Sequence, residues 1–340
     1  MTVNGGVPAV SLVTFPGISS RAYEHPADRT ALTALRKLEG FDTLLRKLAG
    51  LFNERSLRLL YMATGVRASE KQFASIHAMV ADACRVLDID EVPDVFIVQD
   101  PRVQAMALGI DKPWLVVSSG ALDLFDAEEL RFVLGHEVGH VLSGHSVYRT
   151  MLFGLIRLST RVAWFPIGAL GVKAAVVALE EWFRKSELSC DRAGLLCGQD
   201  VASALRAHMK MAGGSRWHDM DTSEFLAQAK DYEGAGDLRD GVAKILHLVG
   251  QTHPFAALRA AELQTWASGT EYAAILAGDY PRREDDPATS VTEEAKTAAR
   301  TYRDKVNDST DPLMGVIKDI GGAAAEAGNA IFDRFRRPPS

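Results

Sequence analysis

The stretch FVLGHEVGHVLSGH, residues 132–145, sets three histidines and one glutamate within ten residues of an otherwise apolar run. On a helix, residues four apart differ by about 40° around the axis, so His136 and His140 project from one face and can share one tetrahedral metal. Glu137 lies beside the first histidine, within reach of a water at that metal without being a ligand itself. This is the H-E-x-x-H spacing of zinc hydrolases, and it predicts one Zn2+ per chain with Glu137 as catalytic base. The bland alternative is a pair of core histidines on a packed helix. A metzincin-style third histidine would stand ten residues after His136, where the chain has Ser146. His145, nine residues on, points roughly opposite to His136 if the helix continues, and is expected to be structural or helix-terminal.

The third donor must come from elsewhere, and EEWFRKSELSCDRAG, residues 180–194, offers it. Glu187 and Asp191 are one helical turn apart. Glu187 can bind the metal while Asp191 accepts a hydrogen bond from the outer nitrogen of a ligand histidine, which fixes the tautomer and orientation of that ring. A Glu-x-x-x-Asp pair alone usually marks a solvated helix face. It gains weight here by following the histidine motif in a chain with apolar flanks.

The elements that position these groups can be read from periodicity. DAEELRFVLGHEVGHVLSGH opens with Asp126, Glu128 and Glu129, the acidic first turn of a helix, so the histidines fall in mid-helix. Upstream, VPDVFIVQD and PWLVVSSGAL, residues 113–122, read as strands, with RVQAMALGI between them as a shorter edge strand. A helix is expected over residues 69–87, and others over 174–197, 201–212, 222–233, 238–249 and 255–267. Residues 1–20 read as a tail. Residues 21–68 read as amphipathic helices broken near Gly40 and Gly50, ahead of a domain over 69–268. Residues 269–311 are polar, acidic and punctuated by proline, the composition of a linker with one surface helix, and 312–340 read as a C-terminal amphipathic helix.

The 340 residues are 47% hydrophobic, ample for a packed core, and the net charge of −6 offers no broad basic surface, so nucleic acid is not an expected partner. Three cysteines form neither an even disulfide framework nor a CxxC pair, and residues 1–26 lack the basic start and long apolar core of a secretory signal. A cytoplasmic protein is expected. The apolar segment 151–179 is interrupted by Arg157, Arg161 and Lys173, leaving an uncharged run of eleven residues where a membrane span needs about 20. No transmembrane span is therefore expected. The C-terminal helix ends in Arg334, Arg336 and Arg337, and two readings fit it: peripheral contact with an anionic membrane, or packing on the catalytic domain.

Taken in order, VVSSGALDLFDAEELRFVLGHEVGHVLSGH, SELSCDRAG and THPFAALRAAEL resemble metallopeptidase family 48, the family of HtpX-like proteases and prenyl-protein CAAX endopeptidases, from about residue 70 to 267. The resemblance implies an α+β fold, mainly α with a small β-sheet, of the gluzincin type. It implies zinc on His136, His140 and Glu187, with Glu137 as base. It adds His253, Pro254 and Arg259: His253 as a donor to the oxyanion, Arg259 as a group that positions its helix or the ligand carboxylate. It also implies a peptide or protein substrate laid as an antiparallel strand on the sheet edge at 103–109, along Gln104, Ala105, Met106 and Ala107. Two departures stand out. Membrane members of the family carry transmembrane helices where this chain has charges, and Cys190 occupies a position that is usually alanine. The rival reading is a non-catalytic zinc-stabilised scaffold or a membrane-surface interaction protein. A purely structural metal is usually held by four protein ligands, and an intact Glu137 argues against that reading.

Overall fold

The computed structural model describes residues 12–36, 54–110, 112–150, 152–153, 166–234 and 255–286. Two N-terminal helices, α1 (Pro26–Arg36) and α2 (Glu54–Thr64), precede the short strand β1 (Val66–Arg67) and helix α3 (Ala74–Val86). Then come β2 (Asp94–Val98), β3 (Ala105–Leu108) and β4 (Trp114–Ser118), followed by α4 (Ser119–Leu124) and α5 (Ala127–Leu142). The 33-residue α6 (Pro166–Gly198), α7 (Val201–Gly213), α8 (Thr222–Gly234), α9 (Ala256–Ala267) and α10 (Thr270–Leu276) complete the described chain. Mainly helical with one small sheet, the fold is the α+β class expected from the sequence.

The sheet order is β1-β2-β4-β3, with β2 parallel to β4 and the other pairs antiparallel. Alternation along the strands sends Val95, Ile97, Ala105, Ala107, Leu115 and Val117 into the main core with α3 and α5. Phe96, Leu108, Trp114 and Val116 face the other way, against Leu57 of α2. β3 is an edge strand, as its short run suggests, and β1 is the other. The second predicted strand stops at Ser118, because that side chain accepts a hydrogen bond from Ala121 N–H and caps α4. Residues 119–122 are helical for that reason.

Both ends of the described chain are packed more tightly than their composition suggests. Within the expected tail, Phe15 and Ile18 are fully buried. Residues 270–286, expected to open a linker, carry α10 and a 3-10 turn. They pair with the N-terminal segment through Ser19 N–H to Pro281 C=O at 3.0 Å and Arg283 N–H to Gly17 C=O at 2.8 Å. Backbone pairing between distant segments leaves no periodicity to read. The helix expected over 238–249 and the C-terminal helix fall outside the described residues. Among the described residues, no helix is long and apolar enough to cross a membrane.

Candidate metal centre

Helix α5 starts on a capping box, in which Asp126 accepts from the N–H groups of Glu128 and Glu129 while the Glu129 carboxylate accepts from Asp126 N–H. One face of α5 lies directly on α6. A Cβ added at Gly135 would stand 2.4 Å from Cys197 Cβ, and one at Gly139 2.5 Å from Ala193 Cβ, so only glycine permits this approach. The two bare contacts bring the His136–His140 face of one helix to Glu187 and Asp191 of the other.

His136, His140 and Glu187 converge. His136 Nε2 and His140 Nε2 are 3.1 Å apart, and Glu187 places Oε2 3.5 Å from the first and Oε1 3.2 Å from the second. Donors around a tetrahedral zinc with bonds of about 2.0–2.1 Å lie roughly 3.3 Å from one another. These separations, with each carboxylate oxygen of Glu187 facing one ring, are of the size that one small divalent cation needs, and two imidazoles with a carboxylate suit such an ion chemically. All three side chains are buried. Burial pushes the His136 imidazole down, but the Glu187 and Asp191 carboxylates outweigh it and raise the ring to about 9. The same negative field favours any positive charge placed among these groups, proton or metal.

Behind His136, its Nδ1 meets Asp191 Oδ1 at 3.0 Å. Arg259 from α9 donates to both oxygens of Asp191, at 2.8 and 2.6 Å, and its Nη1 lies 3.0 Å from Glu187 Oε2. Burial would raise the Asp191 carboxyl, yet Arg259 with His208 and His136 holds it far below the usual carboxylate range. His208 from α7 stands 3.6 Å from Asp191 Oδ1, fully buried. Neither of its ring nitrogens has a hydrogen-bond partner among the described residues.

Behind His140, the neighbour is His145, Nδ1 to Nδ1 at 3.3 Å. The opposite direction expected of His145 held only for a continuing helix, and the helix does not continue, although the helix-terminal place expected of the residue is the one it takes. Helix α5 ends at Leu142, and Gly144 takes φ +70°, so the chain turns back and returns His145 to the same side. His145 Nε2 in turn lies 3.5 Å from Asp28 Oδ2 of α1. The Cys190 thiol is 3.5 Å from His145 Nδ1, and burial pushes its ionisation well up, so it stays protonated.

Glu137 is held separately. Its Oε2 accepts from Ala107 N–H of the edge strand at 2.7 Å and from Arg149 Nη1 at 3.0 Å, while Oε1 turns toward His136 Nε2 at 4.0 Å. Arg149 also reaches Glu187 Oε1 at 3.5 Å and lies over the Phe183 ring. Register with β4 turns the backbone groups of Ala105 and Ala107 outward, on the open side of β3. Gln104 and Met106 have theirs on the β4 side, with Gln104 C=O accepting from Ser118 N–H. Of the residues singled out from the sequence, His136, Glu137, His140, Glu187, Asp191 and Arg259 come together, with β3 alongside. His253 and Pro254 lie outside the described residues. Sequence reading missed Arg149, His208 and Asp28. Arg149 left one trace, a lone arginine in the apolar HSVYRTMLF.

The family model for peptidase family M48 matches residues 70–267. The chloroplastic plastoglobule-localized metallopeptidase 48 of Arabidopsis thaliana is 31% identical over 273 residues, covering 79% of this chain and 78% of that protein. A protease HtpX homologue of Bacillus velezensis is 28% identical over 171 residues, 47% of this chain and 57% of the relative. One from Tropheryma whipplei is 40% identical over 67 residues, 19% and 23% respectively. No solved structure matches. With more than half its length under the family model and the Arabidopsis relative aligned over most of both proteins, the chain belongs to peptidase family M48 and is a metallopeptidase, hydrolysing peptide bonds in peptides or proteins.

Proposed function

We propose that the metal is zinc, one per chain, held by His136, His140 and Glu187, and that Glu137 is the general base of peptide hydrolysis. The observation that carries this reading is the convergence of two imidazole nitrogens 3.1 Å apart on the Glu187 carboxylate, Oε2 at 3.5 Å from His136 and Oε1 at 3.2 Å from His140, with Glu137 Oε1 turned to the same space. When bound, zinc supplies Lewis-acid polarisation of the scissile carbonyl and lowers the pKa of a water toward about 7. The rest falls to the chain. Glu137 takes the water proton on Oε1 and delivers it to the leaving amine, while Arg149 holds the carboxylate through Oε2, an oxygen that also accepts from Ala107 N–H until substrate pairs with that strand. Asp191, tied by Arg259, sets the His136 tautomer so that Nε2 faces the site. His253 is the proposed donor to the developing oxyanion, on the strength of the family resemblance.

Substrate is proposed to lie along the open side of β3, where Ala105 and Ala107 direct their backbone groups outward. Pairing there competes with Glu137 for the Ala107 N–H. Backbone pairing carries little side-chain selectivity, which suits a peptidase acting on extended or unfolded segments. A cytoplasmic location, soluble or peripheral to a membrane, is proposed on the three cysteines, which are all free and buried. The name of the Arabidopsis relative places that protein in the chloroplast at plastoglobules.

Two variants test the assignment. Glu137→Gln should lower peptidase activity on a panel of unfolded proteins by about 10²- to 10⁴-fold while keeping one zinc per chain. Glu187→Ala should lose the zinc. Undiminished activity in the first, or an unchanged zinc content in the second, sinks the corresponding role.

A further inference from the structure

Asp28 stands on α1, outside the residues matched by the family model, yet its carboxylate is 1% exposed beside the metal centre. Trp182 Nε1–H donates to Oδ1 at 2.9 Å and Ser189 O–H to Oδ2 at 2.6 Å, both from α6. The same Oδ2 faces His145 Nε2, and His145 Nδ1 faces His140 Nδ1. We propose that Asp28 is a positioning residue of the metal centre: through His145 it fixes the tautomer and orientation of His140, so that the N-terminal helix completes the site.

The positions of the protons along two buried imidazoles and a carboxylate carry this role, on the reading of His140 as a ligand through Nε2. A ring that ligates through Nε2 carries its proton on Nδ1. That N–H points at His145 Nδ1, 3.3 Å away, which must then accept. The Cys190 thiol, 3.5 Å from the same nitrogen, is compatible with a bare Nδ1. His145 therefore holds its proton on Nε2, and Asp28 Oδ2 is the acceptor facing it at 3.5 Å. The indole N–H and the serine hydroxyl hold the carboxylate in that position. Asparagine at residue 28 reverses the pattern. Trp182 Nε1–H can only donate, so it keeps the amide oxygen, and the amide nitrogen turns toward His145. That donor asks His145 for the opposite tautomer, which leaves His140 Nδ1–H without its acceptor.

The test is the zinc dissociation constant of the full-length protein, measured by competition with a chromogenic chelator. Asp28→Asn should bind zinc at least tenfold more weakly, with one zinc per chain still reached at saturation; groups that orient ligand histidines typically contribute 10- to 100-fold. Ser189→Ala loosens α1 on α6 and leaves the carboxylate facing His145, so its affinity should stay within about threefold of wild type. His145→Phe, which keeps every bond to Asp28 from α6, should match Asp28→Asn, and the double variant should be no weaker than His145→Phe alone. Should Asp28→Asn fail to fold by near-UV circular dichroism, His145→Phe carries the test. Wild-type affinity in a folded Asp28→Asn or in His145→Phe overturns the proposal, and so does an equal loss in Ser189→Ala, which would mean that helix docking alone matters. A wild-type protein that binds no zinc, or whose zinc survives Glu187→Ala, overturns the ligand assignment first and this proposal with it.

Discussion

Behind His136 stands a charged pair, Asp191 and Arg259, with Asp191 Oδ1 3.0 Å from the ring, whereas behind His140 stands a second imidazole, with the nearer carboxylate one residue further back on α1. The first arrangement comes from helices α6 and α9, inside the span matched by the family model. The second depends on a helix that stops at Leu142 and on a segment outside that span. Around the donors, Glu137, Glu187 and Asp191 set three carboxylates against the guanidinium groups of Arg149 and Arg259. The His136 side thus works by fixed charge and the His140 side by the direction of neutral N–H groups. Charge is strong and unforgiving, since a partner removed leaves another stranded in low dielectric. A neutral relay is weaker and fails by tautomer instead.

The contrast makes Arg259 the most sensitive position for stability. Arg259→Leu leaves Asp191 and Glu187 buried with a guanidinium partner lost to each, and should cost about 3–5 kcal/mol in urea unfolding. Arg259→Lys should recover only part, because one ammonium cannot span both Asp191 oxygens and Glu187 as the planar fork does. A Leu variant that unfolds within about 1 kcal/mol of wild type would show that the charged side is no more demanding than the neutral one.

Both sides share the α5–α6 contact, and breaking that contact should weaken them together. In Gly139→Ala the new Cβ would stand 2.5 Å from Ala193 Cβ, so the helices must part. The expected cost is about 1–3 kcal/mol, together with weaker zinc binding. Adding Ala193→Gly returns the space and should restore most of both. If the double variant recovers stability but not zinc affinity, the spacing of donors depends on more than this contact.

What the sequence made legible follows from range. The capped helix, the edge strand and the H-E-x-x-H face depend on residues within one or two turns, and they stand where periodicity puts them. Glu187 and Asp191 could be read because a second short pattern follows the first. Arg259 entered through family resemblance alone. Asp28, Arg149 and His208 were invisible for a different reason: each reaches the site from another element, and no spacing in the chain encodes that approach. The return of His145 to the site was equally hidden, because Gly144, which turns the chain back, looks in sequence like one more small residue in SGH. The burial of Phe15 and Ile18 was hidden in the same way, since their segment is held by backbone bonds to Val86, Pro281 and Arg283 that give no side-chain signal.

His208 allows the finest test of the charged side. Fully buried and, among the described residues, without a hydrogen bond on either ring nitrogen, it faces Asp191 Oδ1 at 3.6 Å, and burial pushes the ring down to about 4, with Asp191 opposing. The ordinary value is about 6.5, so between pH 6.5 and 4 the unfolded chain binds a proton that the folded chain does not. Stability therefore falls as pH falls through that window, by about 1.4 kcal/mol at pH 5.5 from this group. His145, pushed down to about 3 by burial, acts in the same direction. A single-site variant separates His208 from it. His208→Phe keeps a ring against Phe132 and removes no hydrogen bond to the described residues. It should gain roughly 1 kcal/mol on wild type when urea midpoints at pH 7 and pH 5.5 are compared. An identical difference at the two pH values would mean that His208 accepts its proton in the folded state as readily as in the unfolded one. Asp191 would then hold a second cation beside Arg259, and the contrast between the two sides of the centre would be sharper still.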